Sequence, residues 1–441
     1  MSYVNYFSRP HLYLRNLCGT LGQFGLFGLL LVSSFITPLS AQQLFIPMDE
    51  RQANHLKAYG LIFNHLTEGG KATWLLNYRG GSFMTDENAA LVKEARLKNI
   101  TIEVISSSQA TQITQDVESP GSNTSVVNLE KAPRIAVYTP DQALPWDDAV
   151  TLALSYAEID YDKIWDVEVL QGGLQNYDWL HLHHEDFTGQ YGKFWASYRN
   201  NPWYITQVKQ MEAMATELGF NKVSDQKLAV AKTIKEYVGK GGFLFAMCSG
   251  TDTFDVALAA EGIDIAPTPF DGDPVDPNAQ ESLDYSATLA FENFTISLNP
   301  AEYEHADIDV PVAINEIDQS LDFFTLFEFS AKWDPVPTML TQNHVSSVRG
   351  FYGQTTAFRS DKIKSSVVVL GESPGREQAK YIHGTFGQGT YTFYAGHDPE
   401  DYTHRVNDPP TDLALHPNSP GYRLILNNIL FPAAKKKKQK T

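Results

Sequence analysis

Gly241-Gly242-Phe243-Leu244-Phe245-Ala246-Met247-Cys248-Ser249-Gly250 decides the fold. An apolar run that ends in one cysteine followed by small residues reads as a buried strand delivering a nucleophile into a sharp turn. Such an elbow needs little bulk two residues before and after the nucleophile, because its backbone is strained and packs closely; Ala246 and Gly250 meet that demand. A helix opened by Thr251, Asp252 and Thr253 points its positive end at the sulfur and favours thiolate. The alternative is a core cysteine, since free cysteines are among the most buried residues.

Outward from this strand the pattern alternates. Upstream lie a strand at Arg134–Tyr138, a helix around 147–158, a strand at Trp165–Leu170, the strand Tyr177-Asp-Trp-Leu-His-Leu182, and helices near 202–218 and 224–239. Strands and helices in this order predict a mainly parallel sheet with both faces covered, whose ligands gather at the carboxyl ends of the strands. Residues 42–106 read as a small N-terminal α/β unit, with an amphipathic helix over 50–67, strands at 72–78 and 101–105, and a helix near 86–98. Residues 107–132, rich in Ser, Thr, Gln and Asn, read as a linker, and the main domain as 133–434. Within it, 266–345 reads as an insertion or lid rich in Pro, Asp and Phe, and 435–441 is a basic tail.

Residues 1–41 carry Arg9 and Arg15, then the apolar run Phe24–Ile36, then Pro38-Leu-Ser-Ala41, the pattern of a secretory signal cleaved after Ala41. The run is shorter than the roughly 20 residues of a spanning helix, so a membrane anchor is the lesser alternative. Cys18 would leave with the signal. About 400 residues would then remain, exported to the periplasm or medium with Cys248 as the sole thiol. A formal charge of −18 argues against nucleic acid or anionic lipid as main partner. A small-molecule, saccharide or peptide substrate fits better.

Two further constellations carry chemistry. His181-Leu-His183-His184-Glu185-Asp186-Phe187-Thr188-Gly189 follows a predicted strand. If the strand persists, His181 and His183 share a face and His184 turns away. Ligands so close together seldom all face one centre, so no cofactor is expected, with a divalent ion at His181, His183 and Glu185 as the alternative. Near the C-terminus, Tyr391–Ala395 reads as a strand from which Gly396 releases His397-Asp398-Pro-Glu400. A thiol needs a base and the base an orienting carboxylate, which His397 with Glu400 or Asp398 supplies. Alternatively His397 and Asp398 pin a turn. Gly387-Gln-Gly389 reads as a hairpin turn rather than a phosphate loop. Arg79, in Asn77-Tyr-Arg-Gly-Gly81, could reach an anionic substrate group or stand in a tight surface turn.

The series Tyr177–Leu182, Gly241-Gly242-Phe243, Cys248-Ser-Gly-Thr-Asp-Thr-Phe254 and Phe393-Tyr-Ala-Gly-His397-Asp398 resembles the class I glutamine amidotransferase-like superfamily, and within it the ThuA-like branch associated with trehalose utilisation. The resemblance spans roughly residues 133 to 432 and implies a flavodoxin-like sheet. The chain departs from it in places: Ala246 stands where amidotransferases usually carry glycine, His397-Asp-Pro-Glu400 replaces His-x-Glu, and ThuA-like members commonly have histidine at the elbow. Asn77–Phe83 and His183–Gly189 are also similar to exported bacterial proteins labelled asparagine synthetase B. That label implies an N-terminal cysteine and a phosphate loop; cleavage here would expose Gln42, and no such loop is present in the sequence.

The leading expectation is an exported cysteine-dependent hydrolase or amidohydrolase-like enzyme. Cys248 attacks a carbonyl, His397 is base then acid, Glu400 or Asp398 orients it, and N–H groups of Ser249 and of Thr188-Gly189 hold the oxyanion. His181, His183 and Glu185 position substrate. A saccharide- or peptide-binding module using Trp179, Tyr191, Phe194 and Trp195 competes with it, as does a metal-dependent, carbohydrate-processing ThuA-like protein.

Overall fold

The computed structural model describes residues 42–141, 144–310, 318–403 and 405–435. The segment read as an export signal and the lysines after Lys435 lie outside the described residues.

Five strands build a first, antiparallel sheet in the order β4-β1-β3-β2-β5: β1 Gln42–Ile46, β2 Ala72–Leu76, β3 Ser82–Asp86, β4 Glu103–Ser106 and β5 Ser125–Leu129. Helix His55–Thr67, capped by the Asn54 side chain, packs Tyr59 edge-on against Trp74 and Phe83 of this sheet. It also packs on helices Ala149–Ala157 and Pro420–Leu430, which is why it is buried on nearly every side. At the crossing, a Cβ on Gly60 would lie 1.9 Å from the Ala157 carbonyl oxygen, so only glycine permits the approach. The first sheet therefore shares one core with residues of the larger second sheet and its helices, and the described residues form one compact unit.

The expected linker 107–132 is structured. Ser106 and Gln109 form a reciprocal capping box for helix Ser107–Val117, and β5 pairs with β2 along its length. Only Ala110 and Val117 of that helix are buried, so its polar composition is that of a surface helix.

The second sheet runs β11-β10-β13-β14-β15-β9-β8-β6-β7, with β12 also on β14. Its strands are β6 Ile135–Tyr138, β7 Asp162–Ile164, β8 Trp179–Leu182, β9 Phe243–Met247, β10 Phe323–Leu326, β11 Ser347–Arg349, β12 Phe358–Arg359, β13 Val368–Ser373, β14 Gln378–Phe386 and β15 Gly389–Tyr394. From β15 to β7 all neighbours are parallel, and from β15 to β11 all are antiparallel. The sheet is thus mixed rather than mainly parallel. Gly387-Gln388 turns β14 back onto β15 as a hairpin, and part of the expected lid, Phe323–Leu326, extends the sheet instead of lying over it. The stretch 165–170 is not a strand: Glu168 accepts the Trp165 N–H at 2.9 Å and starts helix Asp166–Leu170, leaving β7 just before it.

Alternation along β9 places Phe245 and Met247 in one core and Leu244 and Ala246 in the other. The first core is covered by helices Ala149–Ala157 and Pro420–Leu430, the second by Val223–Gly239 and the fully buried Ser249–Ala259. In this mixed α/β arrangement the carboxyl ends of β8, β9 and β15 lie side by side.

Candidate functional site

The elbow is real in its backbone. Cys248 has φ 51° and ψ −139°, a conformation that costs a side-chain-bearing residue about 1–3 kcal/mol. The following helix holds the loop after β8. Gly250 N–H donates to the His183 carbonyl at 2.9 Å, and a Cβ there would come within 2.3 Å of that oxygen. Ser249 Oγ donates to the His184 carbonyl at 2.9 Å and Thr253 Oγ1 to that of Glu185 at 3.0 Å. The small and hydroxyl residues after Cys248 thus serve as a dock for residues 183–185.

Cys248 is 1% exposed, and its sulfur accepts the Gln354 N–H at 3.1 Å. Burial pushes the thiol up to about 11, against the opposing pull of the Thr355, Gln354 and Ser249 backbone N–H groups. Cys248 is therefore a neutral thiol at physiological pH, the reverse of the thiolate expected from a helix N-terminus.

His397 is not its hydrogen-bonding partner. It lies instead with His183 and His184, ring centroids 4.7 and 4.1 Å away, and the three offer ligand atoms all within 4.8 Å of one another. His183 and His397 are buried and His184 half-buried. Two aspartates at the start of helix Ala149–Ala157 back them. Asp148 Oδ2 meets His183 Nδ1 at 3.3 Å and His181 Nε2 at 3.1 Å, while Asp147 Oδ1 lies 3.5 Å from His397 Nε2 and the Asp147 carbonyl 3.3 Å from His184 Nε2. Asp148 is also the N-cap of that helix, accepting the Thr151 N–H at 2.9 Å, so its carboxylate is fixed. A buried imidazole whose Nδ1 faces a carboxylate presents Nε2 as a lone-pair donor. His183 is held this way, while His184 and His397 turn Nε2 to the Asp147 carbonyl and carboxylate and so present Nδ1; together the three rings form a donor set suited to zinc or a similar ion.

The shared face of His181 and His183 is present, since both reach Asp148. His181, however, is locked in the sheet between Asp148 and the Phe245 carbonyl, 3.2 Å from Nδ1. His184, expected to turn away, joins the cluster because β8 ends at Leu182 and strand alternation ends with it. Glu185 points elsewhere in its charge environment: burial raises its carboxyl to about 8, opposed by Lys227 and reinforced by Asp166, Asp186 and Asp148. It lines, with His184, Trp146 and Phe194, a space of about 20 Å³, room for about one water.

Other side chains depart from their expected roles. Thr188 cannot supply an oxyanion N–H, because both its N–H and Oγ1 donate to Asp186 Oδ1, at 2.7 and 2.5 Å. Gly189, at φ 77°, packs on Ser224. Although burial opposes it, His305 and the Thr188 and Gly192 hydrogen bonds hold the Asp186 carboxyl well below the usual range. Asp398 accepts from Glu400 N–H and Tyr422 Oη, each at 2.8 Å, and so pins the turn; Glu400 pairs with His416 at 3.1 Å. Arg79 stands in the surface turn, bound to Asp49 at 2.8 Å and Glu103 at 3.0 Å. Trp179 is buried beside His181 and Phe245 and offers no ligand face. The aromatic residues near the cluster are Trp146, edge-on to His184 at 5.5 Å, and its neighbours Phe194 and Trp203. Asp147 and Asp148 were missed in sequence, though an acidic pair capping the helix after a strand was a usable signal.

No family model matches the chain, and no curated protein matches it. Among solved structures, the cytoplasmic protein STM3548 of Salmonella typhimurium is similar over 69% of this chain and 100% of its own, at 10% identity and TM-score 0.33. The cytoplasmic protein STM1381 of the same species is similar over 68% of this chain and 99% of its own, at 14% identity and TM-score 0.34. Gan42B, a GH42 β-galactosidase, is similar over 60% of this chain and 28% of its own, at 8% identity and TM-score 0.26.

Proposed function

We propose that this protein is a divalent-metal-dependent enzyme of the ThuA-like branch of the glutamine amidotransferase-like superfamily, acting on a small saccharide outside the cytoplasm. The observation that carries this reading is the convergence of His183, His184 and His397 within 4.8 Å. Support for the flavodoxin-like assignment comes from the parallel half of the large sheet. Its order β7-β6-β8-β9-β15 is the second, first, third, fourth and fifth strand of that half, and ligands of such sheets bind at the strands' carboxyl ends, where the histidines lie. Trp146, next to His184, and Trp203, which packs on Trp146, supply apolar ring faces of the kind that stack on sugars.

When bound, an ion of the zinc class lowers the pKa of a coordinated water to near 7 and polarises an oxygen of the substrate. The chain's own part is to fix the ligands. Asp148 holds the proton of His183 on Nδ1, Asp147 sits against His397, and the dock formed by Ser249, Gly250 and Thr253 sets the backbone of 183–185.

Metal analysis of the purified full-length protein, followed by calorimetric titration with Zn²⁺ and Co²⁺ after chelation, tests the proposal. One equivalent of bound ion, lost in His183→Ala, is expected. A wild-type protein that arrives without metal and takes up none of these ions would overturn it. With the metal established, a panel of saccharides and of amides separates substrate classes.

The positive φ of Cys248 and the Gln354 N–H that reaches its sulfur at 3.1 Å favour a second reading, the cysteine hydrolase. That reading requires rapid alkylation of Cys248 in the folded protein at neutral pH.

A further inference from the structure

The loop Phe351–Ala357 collects buried polar groups that the metal reading leaves unused. Lys380, buried on β14, donates Nζ to the carbonyls of Phe351 and Thr356. Asp309 Oδ1 accepts the N–H groups of Thr356 and Ala357 at 2.8 and 3.3 Å. Asp252, in the elbow helix, accepts a hydrogen bond from Thr355 Oγ1 at 2.8 Å, and Gln354 Nε2 donates to the Gly192 carbonyl at 2.6 Å. Cys248 Sγ takes the Gln354 N–H at 3.1 Å.

The other side of the same loop carries His397. Its backbone N–H donates to the Tyr352 carbonyl at 2.8 Å, and Gly396 N–H donates to that of Thr355 at 2.7 Å. A Cβ on Gly353 would lie 2.8 Å from the His397 nitrogen, so loop and histidine backbone are in direct contact. Residues 352–355 thus stand between the sulfur and the third histidine, hydrogen-bonded to each.

We infer that Cys248 is a positioning residue: its sulfur sets the seat of the Tyr352–Thr355 loop, and through that loop the place where His397 meets His183 and His184. This explains a strained elbow without a reactive thiol. The sulfur is the acceptor that the buried Gln354 N–H requires, and removing it forces the loop to shift or leaves that donor unsatisfied. Its consequence for metal affinity rests on the proposed function; its consequence for the His397 ring does not.

The test compares Cys248→Ala, Cys248→Ser and the wild type as full-length proteins. Cys248→Gly is a further variant, because glycine adopts φ 51° without strain while also removing the acceptor. Histidine ring resonances, from ¹⁵N-histidine labelling of the metal-free proteins, report position directly. His397 signals are expected to move in the Ala and Gly variants and to return close to wild type in the Ser variant, whose Oγ restores an acceptor. His181, locked in the sheet, is the internal control. Co²⁺ affinity is expected to fall about 10–100-fold in the Ala and Gly variants, with an altered visible spectrum, and to recover in Ser. Unmoved His397 signals in both Ala and Gly variants, or, where the wild type binds Co²⁺, a wild-type affinity and spectrum in them, would overturn the inference. If the wild type binds no Co²⁺ but His397 still moves and is rescued by serine, the positioning role stands and the metal reading alone falls.

Discussion

Two groups of buried and half-buried histidines in this molecule differ in their company. At the seam between the first sheet and the main body, His55 and His344 stack with ring centroids 4.2 Å apart, and the Arg423 guanidinium lies 3.5 Å from His344. At the carboxyl ends of β8 and β15, His183, His184 and His397 gather beside Asp147 and Asp148. The first pair has a cation as its charged neighbour. Burial first, then Arg423, lowers His55 to about 4; burial, His55 and Arg423 lower His344 to about 3. Such rings are neutral packing groups. Imidazoles held by carboxylates are oriented ligands, because the carboxylate fixes which nitrogen keeps the proton. Crowded histidines alone do not mark a site; under the proposed metal reading, the sign of the charge behind them separates the two cases.

The largest effect that could break this comparison is in the carboxylate-backed group. His397→Ala should reduce Co²⁺ or Zn²⁺ affinity at least about 100-fold by removing one of three ligands, measured by calorimetry, whereas His344→Ala should leave it unchanged. Equal loss in both would erase the distinction. The next effect belongs to the seam. Arg423 is fully buried and donates to the carbonyls of Met48, at 2.9 Å, and Gly80, and to Tyr59 Oη at 3.2 Å. Arg423→Met removes these three bonds, although His55 Nε2 still reaches the Met48 carbonyl at 3.0 Å and Tyr59 keeps Asn427, and should cost about 3 kcal/mol in urea unfolding, at about 1–3 kcal/mol for each bond lost to a charged group, with no change in metal affinity.

The seam also gives the protein a pH dependence of defined sign. His55 titrates near its ordinary value of 6.5 when unfolded and near 4 when folded, so between those values the unfolded chain binds the extra proton. Stability is full above pH 6.5 and is lost as pH falls toward about 4. The expected loss is about 3 kcal/mol for His55, at about 1.4 kcal/mol for each tenfold change in proton affinity. His55→Gln should flatten the urea midpoint across this range; an unchanged slope in the variant would assign the acid sensitivity elsewhere.

The strand that ends in Cys248, the helices on either side of it and the hairpin at Gly387 were legible in sequence because each rests on local signals: an apolar run, a 3.6-residue period, a glycine pair. The helix and edge strand at 107–129 were not, since a solvent-facing helix with two buried residues has the composition of a linker. Nor was the antiparallel half of the large sheet, whose short strands β10, β11 and β12 owe their pairing to partners distant in sequence. At the site, Cys248, His183 and His397 were legible as unusual residues, but their grouping was not. Sequence proximity suggested that Asp398 and Glu400 orient His397 and that His184 turns away. The fold instead brings Asp147 and Asp148 across from another loop and ends β8 one residue before the cluster.

The smallest effect sharpens that lesson, because it separates carboxylates near in sequence from those near in space. Glu400 pairs with the half-exposed His416, an interaction worth at most about 1 kcal/mol, so Glu400→Gln should leave metal affinity within the scatter of the wild type. Asp148→Asn keeps the shape of the side chain but loses the charge that faces His183 and His181, and should weaken metal binding about tenfold. Calorimetry on the two variants side by side makes the contrast internal to one experiment. If Glu400→Gln proved the more damaging, the orienting carboxylate would be the one that sequence spacing suggests, and His397 would have to leave its place beside Asp147 when it works.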